Sequence, residues 1–372
     1  MKAERDIAVI AIPFAAGLAA GLHLCPLNIQ NPDLLTFCPT LALLLAATFL
    51  LHPHRSSWKG GIQWTIIAVT FLLIGAMAGC GGHMLEYSHL GSGMVMEAAA
   101  KAGAEVAEAI DRIPFADTAT NGIIKALITG ERNGIPAEIT AAFRESGASH
   151  ILALSGLHLG IIYGILRFVL GFMGNTPAAR TIRSMIMIIC CGAYTIGTGC
   201  GPSIARAFLF ILIGETAAQT GRRTSLSGIL MTALIVQTLV HPSVINEIGF
   251  QLSYAAVAGI AFIFPKLRDL WPGTGRNEGM ISRGTKWIWN SAAMSVACQI
   301  TTGPIAYAYF GTFPEYFILT NLIALPLTGL LIPAALLTLA ASELGICPDM
   351  MSRVTELLVT VLSDSLGVIS TM

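Results

Sequence analysis

Ser155 and His158 are the two residues of this chain whose types and spacing come nearest to catalytic chemistry. They lie three residues apart in an apolar stretch, so a helix there would carry the hydroxyl and the imidazole on one face. A serine beside a histidine base is the arrangement of a nucleophilic hydrolase. Such pairs also need an orienting carboxylate, and none can be identified from the sequence. A membrane-embedded hydrolase is therefore an alternative for which the orienting carboxylate is missing.

Other sequence patterns exclude several classes of chemistry. The chain has no Walker-type GxxxxGKS/T motif for a P-loop ATPase and no HExxH motif for a zinc protease. Its 8 cysteines show neither CxxC pairs nor zinc-ligand spacing. The sequence therefore predicts no metal site, no cofactor and no enzymatic activity. Cys25 and Cys38 flank one short loop and would form a disulfide only if that loop faces an oxidising compartment.

Polar side chains inside otherwise apolar stretches form the second group of candidates. Such groups are costly within a membrane and are functional candidates by default. They recur in five stretches: His150, Ser155 and His158; Ser203 and Arg206; Gln251 and Ser253; Gln299; and Asn321. Together they indicate a polar vestibule that opens on the outer side and narrows toward the midplane. Taken singly, each has a plainer interpretation as a hydrogen bond between helices or, for Arg206, as a side chain reaching the lipid headgroups.

The composition identifies the environment of these residues. Of the 372 residues, 54% are hydrophobic and only 11% are charged, and 21 Lys and Arg balance 21 Asp and Glu. An average soluble domain has about 25% charged residues. This excludes a soluble globular protein, a disordered chain and a nucleic-acid module held by a large basic patch. The sequence predicts an all-α, polytopic integral membrane protein.

Eleven apolar runs are candidate transmembrane spans. They fall near 7–24, 39–51, 62–82, 149–172, 183–199, 202–220, 225–240, 247–264, 289–309, 317–341 and 354–370. The second is short enough to be re-entrant, and Pro326 and Pro333 predict a broken or kinked tenth span. In the fourth, Gly156, Gly160 and Gly164 recur every four residues, which is the spacing of close helix packing.

The distribution of Lys and Arg predicts the orientation. With a cytoplasmic N-terminus, the positively charged loops alternate regularly with the loops at 25–38, 200–201, 242–246 and 310–316, which contain no Lys or Arg. The inner loops then carry Lys2 and Arg5, Arg55 and Lys59, Arg180 and Arg183, Arg222 and Arg223, the cluster from Lys266 to Lys286, and Arg353. We therefore expect a multi-pass protein of the bacterial inner membrane with these loops in the cytoplasm.

The segment 83–148 is the longest loop, and this orientation places it on the outer face. Apolar residues at helical spacing predict an amphipathic helix lying on the membrane surface, with Val95, Ala98, Ala102, Val106, Ala109 and Ile113 on one side. Two short helices are predicted at 119–129 and 136–146, joined by a turn at Asn133 and Gly134. The predicted domains are 1–82, three membrane spans; 83–118, the outer amphipathic segment; and 119–372, a membrane channel domain.

Six blocks of the sequence are distinctive: ALITGER (126–132), FRESGASHILALSGLHLG (143–160), GPSIARA (201–207), GFQLSYAAVAGI (249–260), QITTGP (299–304) with FG (310–311), and NLIALPL (321–327). In this order they resemble the sequence blocks of the ComEC competence-protein family. Several such blocks in the same order are a specific signal. The resemblance covers about 119–341.

The resemblance implies an inner-membrane channel through which one DNA strand enters the cytoplasm during natural transformation. Single-stranded DNA and the lipid bilayer would then be the partners. On this hypothesis Arg144 and Arg206 meet phosphates near the entrance. His150, Ser155, His158, Ser203, Gln251, Ser253 and Gln299 line or shape the pathway, and Asn321 with Pro326 holds a broken helix.

Longer members of the family carry two domains for which this sequence shows no segment. They are an extracellular OB-fold and a metallo-β-lactamase-like domain. We therefore expect an outer-face DNA receptor, a separate nuclease and a cytoplasmic ATPase as further partners, and the chain itself is a candidate homo-oligomer. A secondary transporter of a small solute is the main alternative function, because the same polar groups would suit a midplane binding site.

Overall fold

The computed structural model describes residues 11–20, 68–69, 71–72, 75, 93–219, 225–240, 242–271, 280–311, 315–346 and 349–372. Helices dominate these residues, and no strand occurs among them. The expectation of an all-helical membrane protein is thereby confirmed. The predicted second span, both ends of the first, most of the third, and Cys25 and Cys38 lie outside the described residues.

The chain divides into two compact units. The first contains Met1–Leu90 and Gly221–Tyr254, and the second contains Gly91–Thr220 and Ala255–Met372. In the first unit an apolar helix, Ala11–Ala20, has Ala11, Phe14 and Leu18 buried. This unit also holds α8, Leu226–Val240, the 3₁₀ turn Pro242–Asn246, and the start of α9, Ile248–Ala258.

The second unit contains the remaining helices. In chain order they are α1 Gly93–Asp111, α2 Thr118–Ile128, α3 Ala137–Glu145, α4 Ser149–Leu152, α5 Gly156–Val169, α6 Pro177–Gly197, α7 Pro202–Gln219, α10 Phe264–Arg268, α11 Met280–Phe310, α12 Phe317–Glu343 and α13 Asp349–Ser370. A π-helical turn, Gly259–Ile263, joins α9 to α10, and a 3₁₀ turn, Leu170–Met173, ends α5.

Four helical stretches of the described residues are long and apolar enough to cross a membrane: Gly156–Met173, Pro177–Gly197, Ile248–Arg268 and Phe317–Glu343. The predicted count of eleven spans is not reproduced. Three further predicted spans correspond to α7, α11 and α13, which are not among these four. The described residues therefore support a helical membrane protein and do not support the predicted number of spans.

The predicted fourth span, 149–172, is not one helix. Ala153 adopts an extended backbone conformation, so α4 ends there and α5 begins anew at Gly156. This break places His150 and His158 on different helices. It was missed because the residues on both sides of Ala153 are apolar, and apolar periodicity does not report a break of the backbone.

Of the two alternatives predicted for the tenth span, the break is wrong, because α12 runs unbroken from Phe317 to Glu343 with Pro326 and Pro333 inside it, and the kink stays a prediction. A proline removes one backbone N–H and leaves a carbonyl one turn earlier without its helical donor. Membrane helices tolerate this where neighbouring groups satisfy the freed backbone. Thr328, which lies between the two prolines, donates a hydrogen bond from its hydroxyl to the carbonyl oxygen of Ala324 at 2.7 Å.

The three helices predicted between 93 and 146 are confirmed as α1, α2 and α3. Asn133 and Gly134 form the predicted turn, and Gly134 has a φ of 93°, which favours glycine. The buried face of α1 agrees with the prediction in part: Ala109 and Ile113 are buried as predicted, but Ala107 and Ile110 are buried too and Ala102 is exposed. That face contacts protein: a Cβ on Gly103 would lie 2.9 Å from the carbonyl oxygen of Gly197.

The core of the second unit unites this segment with the last two helices. Ile110, Ile123, Leu127 and Phe143 are at most 1% exposed and pack in one apolar cluster with α12 and α13. Residues from those two helices in the same cluster are Ala324, Leu331, Ile332, Ala335, Val359, Leu362 and Leu366. The segment 110–143 is therefore part of the helical core and does not merely lie on a surface.

Candidate functional site

The first turn of α5 is built by Ser155 and His158 together. Ser155 is the N-cap, and its hydroxyl accepts a hydrogen bond from the Leu157 N–H at 3.3 Å. The N–H of Ser155 in turn donates to Nδ1 of His158 at 3.2 Å, which completes a capping box. Two backbone donors that a helix leaves unsatisfied at its start are thus satisfied by this one pair.

This bond also fixes the state of the His158 ring. Because Nδ1 accepts from a backbone N–H, the ring hydrogen of the neutral imidazole lies on Nε2. The side chain is fully buried, and Nε2 has no hydrogen-bond partner among the described residues. His158 therefore holds one unused donor inside the second unit.

The same geometry bears on the hydrolase alternative. Oγ of Ser155 lies 3.1 Å from Nδ1 of His158, so the two side chains do meet. A catalytic serine and histidine need a third group that orients the ring through its other nitrogen. No described carboxylate bonds to that nitrogen, Nε2. Helix capping accounts for the contact between Ser155 and His158.

Arg144 and His150 lie on the two short helices that precede α5. Arg144 is in the last turn of α3, and its side chain is exposed. His150 is on α4, with Nδ1 3.1 Å from the carbonyl oxygen of Gly147. Both side chains are exposed, so the chain between α3 and α5 presents polar groups beside the start of α5.

Arg206 lies in the first turns of α7 and is only 2% exposed. Ser203, one turn earlier, is half-buried. The neighbouring Ala207 packs against α5, because a Cβ on Gly156 would lie 3.3 Å from the Cβ of Ala207. The start of α7 and the capped start of α5 are therefore in contact. Burial of a guanidinium group is unfavourable in free energy unless polar groups surround it. The position of Arg206 therefore restricts how the starts of α5 and α7 can pack.

The three glycines predicted to pack helices differ in their surroundings. Gly156 makes the close approach to α7 just described. A Cβ on Gly160 or Gly164 would meet no described atom within 4 Å. A packing role for these two positions stays a prediction.

Glu215 forms a buried polar network that was not among the predicted site residues. Its Oε1 accepts a hydrogen bond from the Tyr163 hydroxyl at 2.5 Å, and its Oε2 accepts one from Ser184 at 2.6 Å. Arg167 donates to the Tyr163 oxygen at 3.3 Å. Three helices, α5, α6 and α7, thus meet at one carboxylate. The one signal in the sequence was an acidic residue within an apolar run, because its partners are far away along the chain.

Gln299 and Asn321 lie on α11 and α12. Gln299, with Gly303 and Pro304, lines a largely apolar groove of about 560 Å³ between these helices. Asn321 is half-buried, and its Oδ1 has no hydrogen-bond partner among the described residues. These two side chains place amide groups on the facing helices α11 and α12.

Gln251 and Ser253 belong to the first unit and are described by themselves. Nε2 of Gln251 donates to the carbonyl oxygen of Ile245 at 3.0 Å, which ties α9 to the preceding 3₁₀ turn. Ser253 is half-buried on the same helix. The structure therefore brings the starts of α5 and α7 together within the second unit, while these two residues lie in the other unit.

Metal coordination has no visible basis in the described part of the chain. Among these residues no three His, Cys, Asp or Glu side chains cluster in a way that could hold an ion. Cys190, Cys191, Cys200 and Cys298 are free thiols. The groups available at the candidate site are hydroxyls, imidazoles, amides and guanidinium groups.

Comparison with known proteins places this chain among competence proteins. The family model described as "Competence protein" matches residues 127–372, which include every candidate site residue. ComE operon protein 3 of Bacillus subtilis is 27% identical over 60% of this chain and 27% of that protein. Competence protein ComA of Neisseria gonorrhoeae is 25% identical over 58% of this chain and 30% of its own length.

A further relative has no assigned role: the uncharacterized protein YcaI of Escherichia coli is 31% identical over 38% of this chain and 19% of that protein. The matched part of this chain thus spans less than a third of the length of each of these three relatives. No solved structure matches the chain. Because the family model covers well over half of the sequence, the chain belongs to the competence-protein family, as its resemblance to ComEC proteins predicted.

Proposed function

We propose that this chain forms the membrane part of a channel that admits single-stranded DNA to the cytoplasm during natural transformation. The observation that carries the proposal is the match of the competence family over residues 127–372. This region holds all four candidate membrane spans. It also holds the polar groups at the starts of α5 and α7.

The contact between α5 and α7 supports a pathway at that place. Arg144 is exposed on the approach and is available to a phosphate group. Arg206 is buried where the two helix starts meet and supplies positive charge there. His158 adds a buried N–H donor beside the capped first turn of α5. A strand of phosphates would thus meet an exposed guanidinium first and buried donors next.

A pathway with few positive charges lets a DNA strand pass, whereas one with many would hold the strand. Each Lys or Arg that neutralises a phosphate strengthens binding of the strand and slows its release. The proposal therefore needs help from outside this chain. A cytoplasmic ATPase or the proton gradient would supply the driving force, an outer receptor would deliver the DNA, and a separate nuclease would remove the second strand.

Deletion of the gene in a naturally transformable host is the decisive test. Linear DNA carrying a selectable marker would be offered, and recombinants would be counted as a measure of cytoplasmic arrival. We expect loss of transformants while DNA bound outside the cytoplasm persists, with recovery when the intact gene is restored. Unchanged transformation in a host without a second homologous gene would overturn the proposal and favour import of a small solute.

Substitution of Arg206 tests the assigned pathway. The loss of one hydrogen-bonded charge is worth about 1.5–3 kcal/mol, so Arg206→Ala should lower transformant frequency by about tenfold or more. Arg206→Lys should retain more activity because it keeps the charge. Arg353, exposed on α13, provides the matched control, and Arg353→Ala should transform normally. Protein levels in the membrane fraction must be equal; normal uptake by Arg206→Ala at equal levels would refute the role.

A further inference from the structure

Two hydrogen bonds fix the segment before α5 to opposite ends of α12. The Thr320 hydroxyl, in the first turn, donates to the carbonyl oxygen of Ser146 at 2.7 Å. Glu343, the last residue, accepts a hydrogen bond from Nη2 of Arg112 at 2.7 Å. Thr320 and Glu343 are 23 residues apart on this helix, which is about 35 Å at ~1.5 Å per residue. The hydrocarbon core of a bilayer is only about 30 Å thick.

Between these anchors the segment follows α12 and α13 continuously. The backbone N–H of Asp117 donates to Oε1 of Glu356 at 2.9 Å, which fixes the start of α2 beside α13. The hydroxyls of Thr338 and Thr355 meet at 2.9 Å, so α13 returns along α12. Apolar side chains of α2 and α3 share one buried cluster with both helices. Arg112 and Ser146 therefore cannot both lie on one side of a membrane that α12 crosses.

From this arrangement we infer that residues 112–146 lie at the depth of the bilayer beside α12 and α13, and that the cavity between α2, α3 and α13 is filled with water. This differs from the sequence-based expectation that all of 83–148 lies on the outer face. The inference depends on α12 crossing the membrane. It does not depend on what the protein transports.

The lining of the cavity supports this inference. The cavity holds about 720 Å³, and its polar lining includes Asp117, Glu138, Thr360, Ser363 and Asp364. Carboxylates at membrane depth face protein partners or water, because lipid cannot solvate them. Oγ of Ser363 is buried without a hydrogen-bond partner among the described residues, and a bound water would satisfy it.

A separate face of α13 has the character of a lipid contact. Val354 and Val361 are 46% and 40% exposed, and both are apolar. One helix thus presents polar residues to the cavity and apolar residues to the outside of the unit. An amphipathic helix at membrane depth requires water on its polar side. The carboxylates also repel phosphate, so this cavity is separate from the proposed path of DNA.

Cysteine accessibility in intact membranes tests the inference. Thr360→Cys and Ser363→Cys would be compared with Val354→Cys and Val361→Cys, using a hydrophilic maleimide and the unsubstituted protein as background. We expect the cavity positions to react at least about tenfold faster, because the reactive thiolate forms in water and not in lipid. Equal rates on the two faces of α13 would refute a water-filled cavity.

A second measurement tests the premise that α12 crosses the membrane. Tyr316→Cys precedes α12, and Leu344→Cys follows it, and both positions are exposed. An impermeant reagent should label them from opposite sides of oriented vesicles. Labelling from one side only would overturn the inference. Failure of the DNA-uptake experiment would leave both labelling results unchanged, so the two proposals fail separately.

Discussion

Ser155 sits where α4 has ended and α5 has not yet begun, and its hydroxyl and N–H are both used there. The hydroxyl caps α5 and the N–H binds the His158 ring. Neither interaction requires a substrate, so the capping box is first of all a device that begins a helix. His158 has a further donor, Nε2, that the cap does not use. The contribution of Ser155 and His158 to stability can therefore be measured separately from their contribution to DNA uptake.

Removal of the cap should destabilise the protein measurably. Ser155→Ala leaves backbone donors of α5 unsatisfied and should lower the free energy of unfolding by about 1 kcal/mol. Unfolding of the purified protein in detergent measures the effect. Ser155→Thr keeps a hydroxyl and is the matched control, with a smaller expected loss. Equal unfolding midpoints for the Ala and Thr variants would contradict a capping role.

The carboxylate of Glu215 provides a second residue-scale test. Tyr163→Phe removes the donor to Oε1 and leaves part of a buried carboxylate unsatisfied. We expect a loss of about 1–3 kcal/mol in unfolding free energy. Tyr307 is 62% exposed on α11, so Tyr307→Phe should change stability little. If both variants unfold alike, the network does not hold α5, α6 and α7 together.

At the scale of elements, the π-helical turn between α9 and α10 depends on one small residue. A Cβ on Gly259 would lie 2.4 Å from the carbonyl oxygen of Ala297 on α11. A backbone oxygen cannot move aside as a flexible side chain can. Glycine is therefore what allows the π-helical turn to approach α11 so closely.

Gly259→Ala should consequently destabilise the second unit by about 1–3 kcal/mol through overpacking. Gly329, on α12, is the matched control, because a Cβ there would meet no described atom within 4 Å. Gly329→Ala should be neutral or stabilising, since alanine favours a helix. Thermal unfolding of both variants in the same detergent measures the difference. Equal stability of the two would mean that α11 shifts freely.

Most helices of the described residues could be predicted from the sequence, because long apolar runs bounded by Pro, Gly and charge are a strong signal. The break at Ala153 could not, since it is set by contacts and not by local composition. The partners of Glu215 were equally invisible, because Tyr163 and Ser184 are 52 and 31 residues away. For α12 the error is the reverse: two prolines suggested a break, and the helix is continuous through both.

At the scale of the whole molecule, charge distribution predicts which loops face the cytoplasm. Cys200 is an exposed free thiol in the loop between α6 and α7. That loop contains no Lys or Arg, whereas Arg180 and Arg183 lie near the other end of α6. The positive-inside rule therefore predicts that Cys200 faces outward and that Gly174 faces the cytoplasm.

Labelling of whole cells with an impermeant maleimide checks this orientation. Cys25, Cys38 and Cys80 also lie in or beside segments predicted to face outward, so all three are first replaced by Ser. This variant should be labelled at Cys200, and Cys200→Ser in the same background should lose that signal. Gly174→Cys, made in the Cys200→Ser background, should react only after the cells are permeabilised. The reverse pattern would invert the orientation of the chain without changing the described helices.

Pro326 and Pro333 are seven residues apart on α12, which is close to two helical turns. They therefore weaken the helix on the same side, and bends at the two positions point in the same direction and add. The two ends of this helix are the ones tied to Ser146 and Arg112. Bending of α12 at these prolines would change the distance between its two ends, and the segment between Arg112 and Ser146, which is bonded to both ends, would have to change its length with it.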